Sequence, residues 1–163
     1  MGPTGQNGAV RVSAKADYAV RAAAELAAAS ASGEGPVRAE LIASAQHIPL
    51  NFLLNILTDL KLARIVQSYR GAQGGYRLTR PPDKITVAEV IRAVEGPLAN
   101  VHESRPEDLH YPGSSEALRD VWIAVRANLR AVLETVTLAH LVKNSLPRSV
   151  KKLVSDPDAW VAR

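Results

Sequence analysis

Between Pro49 and Lys61 the apolar positions Leu53, Ile56, Leu57 and Leu60 recur at spacings of three and four. Asn51, Asn55, Thr58 and Asp59 occupy the other side. That period predicts an amphipathic helix with one face in a core. Pro49 suits its first turn, where a missing N–H is harmless. A shorter helix, from about Arg38 to Ala45 with Leu41 and Ile42 inward, precedes it, and Gln46-His47-Ile48-Pro49 is a tight connection between the two. Upstream, an alanine-rich helix is predicted from a Ser13 cap to about Ser30. Its expected buried side is Tyr18, Val20, Ala24, Leu26 and Ala27, and Ser32 to Pro36 end it with turn residues.

After Lys61 the period changes. Ile65 to Tyr69 and Tyr76 to Thr79 read as strands joined by the glycine-rich turn Arg70 to Gly75. Thr86-Val87-Ala88-Glu89 is a capping-box pattern that opens a helix to about Glu95, and Gly96-Pro97 stops it. Leu98 to Gly113 lack a period and read as a loop. Ser114 or Ser115 is then expected to cap one long helix to about Val142, with a stripe of Leu118, Val121, Trp122, Val125, Leu129, Val132, Leu133 and Val136. The tail from Leu146 to Arg163 is polar and basic, with a last apolar pair at Trp160 and Val161, and reads as a short helix or as disordered. Met1 to Ala9 are glycine-rich and aperiodic, a disordered leader by expectation.

The fold class that follows is mainly α with a small β-hairpin: a winged helix-turn-helix plus a long helix with an apolar stripe. In this layout the second helix of the pair enters the major groove and its N-terminal residues meet base edges. Here that end is Pro49, Leu50, Asn51 and Asn55. An Asn amide can pair with adenine, and a Leu can touch a thymine methyl. Leu54 lies near this face and is assigned to the core. The hairpin is the wing. Charge now adds to the picture: the chain carries a formal +4, and Lys61, Arg64, Arg70, Arg77, Arg80 and Lys84 stand close together against Asp83 alone. Lys15, Arg70, Gly71, Gln73 and Arg77 are therefore candidates for phosphate or minor-groove contact. The expected partner is double-stranded DNA. The rival reading is a winged helix that docks a protein and never meets DNA.

The stretches Val12 to Arg21, Ile48 to Leu53, Arg70 to Leu78 and Ile85 to Pro97 together resemble the Rrf-two (IscR/NsrR-like) family of winged helix-turn-helix regulators. The resemblance covers about Val10 to Lys143. It implies a dimeric repressor or dual regulator whose long helix packs on its partner's, and two-fold symmetry then implies palindromic sites. The chain divides accordingly into a leader (1–9), a DNA-binding unit (10–97), a sensing-type loop (98–113), a dimerisation helix (114–143) and a tail (144–163). Cluster-binding members carry three cysteines in that loop. This chain has none, so an iron–sulfur cluster is not expected, nor are disulfides or thiol chemistry. The resemblance puts Asp17 at a ligand position, but without cysteines it reads as a helix-start carboxylate. With His102, Glu107, His110 and Trp122 it forms the candidate region for a small-molecule or protein effector. Imidazole and carboxylate also suit another metal, yet the His102–His110 spacing matches no metal motif, and no cofactor is expected. No nucleophile–base set marks an enzyme. With no apolar run of ~18 residues and no signal-like start, neither a membrane partner nor secretion is expected, and the cytoplasm is the predicted compartment.

Overall fold

A computed structural model describes residues 11–163. The leader expectation lies outside the described residues. Seven helices and one hairpin follow in the order α1 (Ala14–Ala31), α2 (Ala39–Gln46), α3 (Leu50–Leu62), β1 (Val66–Tyr69), β2 (Gly75–Leu78), α4 (Val87–Glu95), α5 (Leu118–Leu133), α6 (Leu138–Val142) and α7 (Arg148–Val154). This is the mainly α fold with a two-stranded antiparallel hairpin that the sequence predicts. No single helix among the described residues is long and apolar enough to cross a membrane.

α1 is the hub, packing on α2, α3, α4, α6 and β2. Ser13 caps it by accepting from the Ala16 N–H at 3.0 Å. Its buried face is Ala16, Ala19, Ala22, Ala23, Leu26 and Ala27. Tyr18, Val20 and Ala24, expected inward, are only half-buried. Alanine on every side leaves little contrast to mark the face, and close approach of neighbouring helices selects the positions that bear only a methyl. Leu53, Ile56, Leu57 and Leu60 of α3 join this core with no exposed surface. Ile42 of α2 does likewise, whereas Leu41, also expected inward, is 61% exposed. An eight-residue helix offers one narrow inward stripe, and adjacent residues stand about 100° apart. Pro49 is the N-cap rather than the first helical residue, since its carbonyl accepts the first intrahelical bond, from the Leu53 N–H at 2.9 Å.

α4 opens on the predicted capping box. The Thr86 hydroxyl accepts from the Glu89 N–H at 3.1 Å, and the Glu89 carboxylate accepts from the Thr86 N–H at 2.9 Å. Partial burial opposes ionisation of Glu89, but the Thr86 N–H and then the guanidinium of Arg80, 2.9 Å away, outweigh it and hold the carboxyl below the usual glutamate range. A lowered native pKa stabilises the fold above the unfolded value, and that stability is lost as pH falls through the native one. Thr86→Ala should cost about 1 kcal/mol. In urea titrations the gap between the wild type and Glu89→Gln should be open at neutral pH and narrow from about pH 4.3 downwards. A gap independent of pH would contradict this role of the ionised carboxylate.

The single long helix expected from Ser114 to Val142 is broken. Gly113 to Ser115 form a 3-10 turn, and α5 starts at Leu118 without a side-chain cap. α5 ends at Leu133, and the chain turns at Glu134 and Thr135 and is extended at Thr137 before α6. The β-branched run Thr135-Val136-Thr137 resists helix and favours this extended form. Thr137 makes an antiparallel bridge to Thr86. The Val87 N–H donates to Val136 at 2.9 Å and the Leu138 N–H to Ile85 at 3.0 Å. Thr137 then caps α6, with His140 Nδ1 accepting from the Thr137 N–H at 3.0 Å. Val136, expected on the stripe of the long helix, instead belongs to a second cluster with Val87 and Val150.

Candidate nucleic-acid interface

The core face of α3 dictates what its opposite face presents. With Leu53, Ile56, Leu57 and Leu60 inward, Leu50, Asn51, Phe52, Leu54, Asn55 and Thr58 are left exposed. Leu54, assigned to the core from sequence, is 41% exposed, because it falls between the buried positions. The side chains of Asn51 and Asn55 make no hydrogen bond among the described residues, so both amides are free to pair with a ligand. The first turn of α3 is braced from behind. Phe52 meets Tyr18 of α1 edge-to-face, with ring centroids 5.6 Å apart. Arg21 lies over the same Tyr18 ring at 5.2 Å and donates to the Gln46 carbonyl at the end of α2.

The wing is tied to the body by a backbone rung. Tyr76 of β2 donates to Val37 at 2.8 Å and accepts from Val37 at 2.9 Å. Within the hairpin Val66 pairs with Leu78 and Tyr69 with Gly75. This register puts Arg70, Gly71, Ala72 and Gln73 at the tip, all exposed. Gly71 takes φ +95°, where a left-handed turn favours glycine. An open groove at the base of the wing is lined by Lys61, Arg64, Gln67, Ser68 and Thr79.

Not every cation predicted for this surface is free. Lys15 pairs with Asp59 of α3 at 2.8 Å. Arg77 donates to the Glu34 carbonyl at 3.3 Å, behind the wing. Arg80 is engaged by Glu89. Lys61, Arg64, Arg70 and Lys84 form no ion pair among the described residues. Sequence reading left Lys61 and Arg64 out of the site, although the basic run already pointed to them.

The candidate effector residues do not converge. Asp17 pairs with Arg21 one turn on, at 2.9 Å. His102 and His110 are exposed, and His110 Nδ1 lies 3.2 Å from the Asp108 carbonyl. Glu107 and Trp122 each have a separate partner where the loop lies along α5. Glu107 pairs with Arg126 at 2.6 Å, and Trp122 donates to the Tyr111 hydroxyl at 3.1 Å. Glu107 is held below the usual carboxylate range by its own backbone N–H and by Arg126. No group of three or more His, Asp or Glu suited to a metal occurs among the described residues.

Comparisons with known proteins fit this geometry. The sequence profile of the Rrf2 family, described as "Iron-dependent Transcriptional regulator", matches residues 12–144. Rv1287 of Mycobacterium tuberculosis is 49% identical over 147 residues, 90% of each chain. The HTH-type transcriptional regulator CymR of Bacillus subtilis is 34% identical over 132 residues, 81% of this chain and 89% of its own. Among solved structures, the B. subtilis global cysteine regulator CymR superposes with a TM-score of 0.70 at 32% identity, covering 84% of this chain and 99% of that one. IscR of T. potens gives 0.67 at 32% identity, covering 94% and 93%. The named relatives are regulators rather than enzymes, as the sequence leads one to expect.

Proposed function

Because the chain belongs to the Rrf2 family of transcriptional regulators, we propose that it works as a homodimeric, sequence-specific DNA-binding repressor that carries no iron–sulfur cluster. The observation that carries the DNA reading is the joint exposure of two free amides at the start of α3 and of a cationic tip on the hairpin that follows it. Asn51 and Asn55, with Leu50 and Pro49 at the helix end, read bases. Arg70, Gly71 and Gln73 meet the backbone or the minor groove. Lys15 and Arg77 join them only by exchanging Asp59 and the Glu34 carbonyl for phosphate.

Dimerisation is supported by α5. It buries none of its sixteen residues, although Leu118, Val121, Trp122, Val125, Leu129, Val132 and Leu133 line it. An apolar stripe half in water is the signature of a face completed by a second copy. A two-fold dimer presents two α3 helices and so selects palindromic DNA. Repression rests on the resemblance alone.

A thiolate-ligated cluster does not fit this chain. It has no cysteine at any position, and in the loop where the resemblance would locate the ligands Glu107 is already held by Arg126. Control then falls to a small molecule or a partner protein acting on the loop between α4 and α5.

The test is a duplex titration over a salt series. Asn51→Ala should lose about 1–3 kcal/mol of discrimination between the operator and a base-substituted copy. Arg70→Ala should weaken all sequences alike and lower the salt slope by about 1. Wild-type protein that binds no duplex at low salt would leave the protein-docking rival standing.

A further inference from the structure

Asp17, Arg21 and Glu25 stand one turn apart on a single row of α1, with Tyr18 beside them. Arg21 is the centre of that row. It donates to the Asp17 carboxylate at 2.9 Å, through Nε to the Gln46 side-chain oxygen at 3.3 Å, and through Nη2 to the Gln46 carbonyl. The Gln46 amide in turn donates to Glu25. The same guanidinium lies 5.2 Å from the centroid of the Tyr18 ring, which Phe52 of α3 meets edge-on. Arg21 therefore reaches the end of α2 directly and the start of α3 through one ring.

The turn between those helices needs holding. Gln46 ends α2, and its carbonyl is one of those that a helix end leaves without an internal partner. His47 follows at φ +52°, a left-handed conformation that helix ends usually give to glycine. Such a conformation persists where its surroundings over-determine it, and the bonds from Gln46 to Arg21 and Glu25 are placed to do so. They are not what attaches the two helices. Ile42, Ile48 and Leu53 already seat α2, the turn and α3 in the core, whereas the Arg21 side chain is 33% exposed. What the network adds is direction. Asn55 stands about 7.5 Å along α3 from Leu50, so a tilt of about 10° at the turn moves its amide by about 1 Å. A shift of that size spoils a bidentate pair with a base edge.

We propose that Arg21 is a positioning residue for base reading: through Gln46 and Tyr18 it fixes the turn between α2 and α3, and with it the direction in which α3 presents Asn51 and Asn55. This rests on the DNA reading above. The test compares the duplex that the wild-type full chain selects from a random pool with a base-substituted copy, titrated over a salt series. Arg21→Ala should lower the ratio of the two affinities tenfold or more, with affinity for the substituted copy and the salt slope unchanged. Arg21→Lys keeps the charge but not the planar fork, and should lose discrimination as well. Glycine takes the left-handed conformation without strain, so adding His47→Gly to Arg21→Ala should recover part of the ratio, beyond any effect it has alone. Should Arg21→Ala fail to fold, Gln46→Met carries the test, with a smaller loss in the same direction. An equal loss on both duplexes with a salt slope lower by about 1 would make Arg21 a phosphate contact and overturn the proposal. Unchanged discrimination would overturn it too, as would full discrimination in Arg21→Lys or no recovery by His47→Gly. A wild type that selects no duplex would sink the DNA reading, and this role with it.

Discussion

Gly75→Ala should cost the protein the attachment of its wing. A Cβ on residue 75 would lie 2.5 Å from both the carbonyl carbon and oxygen of Val37 and 2.9 Å from the Arg38 nitrogen. All three are backbone atoms and cannot swing aside. The residue also sits at φ +142°, a conformation that L side chains rarely adopt. Accommodating the methyl means opening the Val37–Tyr76 rung, with its two hydrogen bonds. Backbone strain and lost bonds together should destabilise by about 2–4 kcal/mol, or about 10 °C in Tm for a chain of this size. Operator affinity should fall in parallel, because the tip cations lose their fixed position. Gly71→Ala is the control. Residue 71 is also left-handed, but nothing lies within 4 Å of its would-be Cβ, so about 1–2 kcal/mol is expected. Equal melting curves for the two variants would refute the clash.

Leu138→Ala should be comparably damaging from the opposite side of the body. Leu138 has no exposed surface and lies in the main core with residues of α1, α3 and α4. Truncating a buried leucine leaves a cavity and costs about 2–5 kcal/mol. Here α6 has only five residues and no helical stability of its own. Its hold on the body is this side chain, the half-buried Leu141 and the Thr86–Thr137 bridge. The variant should expose the chain after Glu134 to proteolysis before the rest unfolds. Val142→Ala, at a position 36% exposed, should be close to neutral. A loss below about 1 kcal/mol for Leu138→Ala would mean that α6 does not clamp the C-terminal part to the core.

The second of these variants falls where the sequence was least legible. Periodicity found α3 because four large apolar residues there contrast with amides and hydroxyls. The capping box found α4 because Thr86 and Glu89 act within one turn. The wing was visible as a change of period around glycines. Where contrast was low, the reading failed: alanines on all sides of α1 hid its face, and Leu41 and Leu54 turned outward beside buried neighbours. The break in the long helix was written locally, in Thr135-Val136-Thr137 followed by His140, but its cause was the edge of Thr86, some fifty positions away. The candidate interface divides in the same way. Exposure of Asn51, Asn55, Arg70 and Gln73 follows from local pattern. That Lys15 meets Asp59 and Arg77 meets Glu34 does not, since those pairs join distant elements.

The alanine face of α1 has a consequence for how this chain can change. Ala19, Ala22, Ala23 and Ala27 have no exposed surface and share a core with Val90 of α4 and Leu138 of α6. Each added carbon there has nowhere to go, and overpacking costs about 1–3 kcal/mol. The usual order of tolerance is thereby inverted: large residues such as Leu41 and Leu62 stand in solvent and are open to exchange, while the smallest side chains are the ones fixed. Growth at any of them would need shrinkage on the facing helix in the same step, so the hub can drift only by paired substitution.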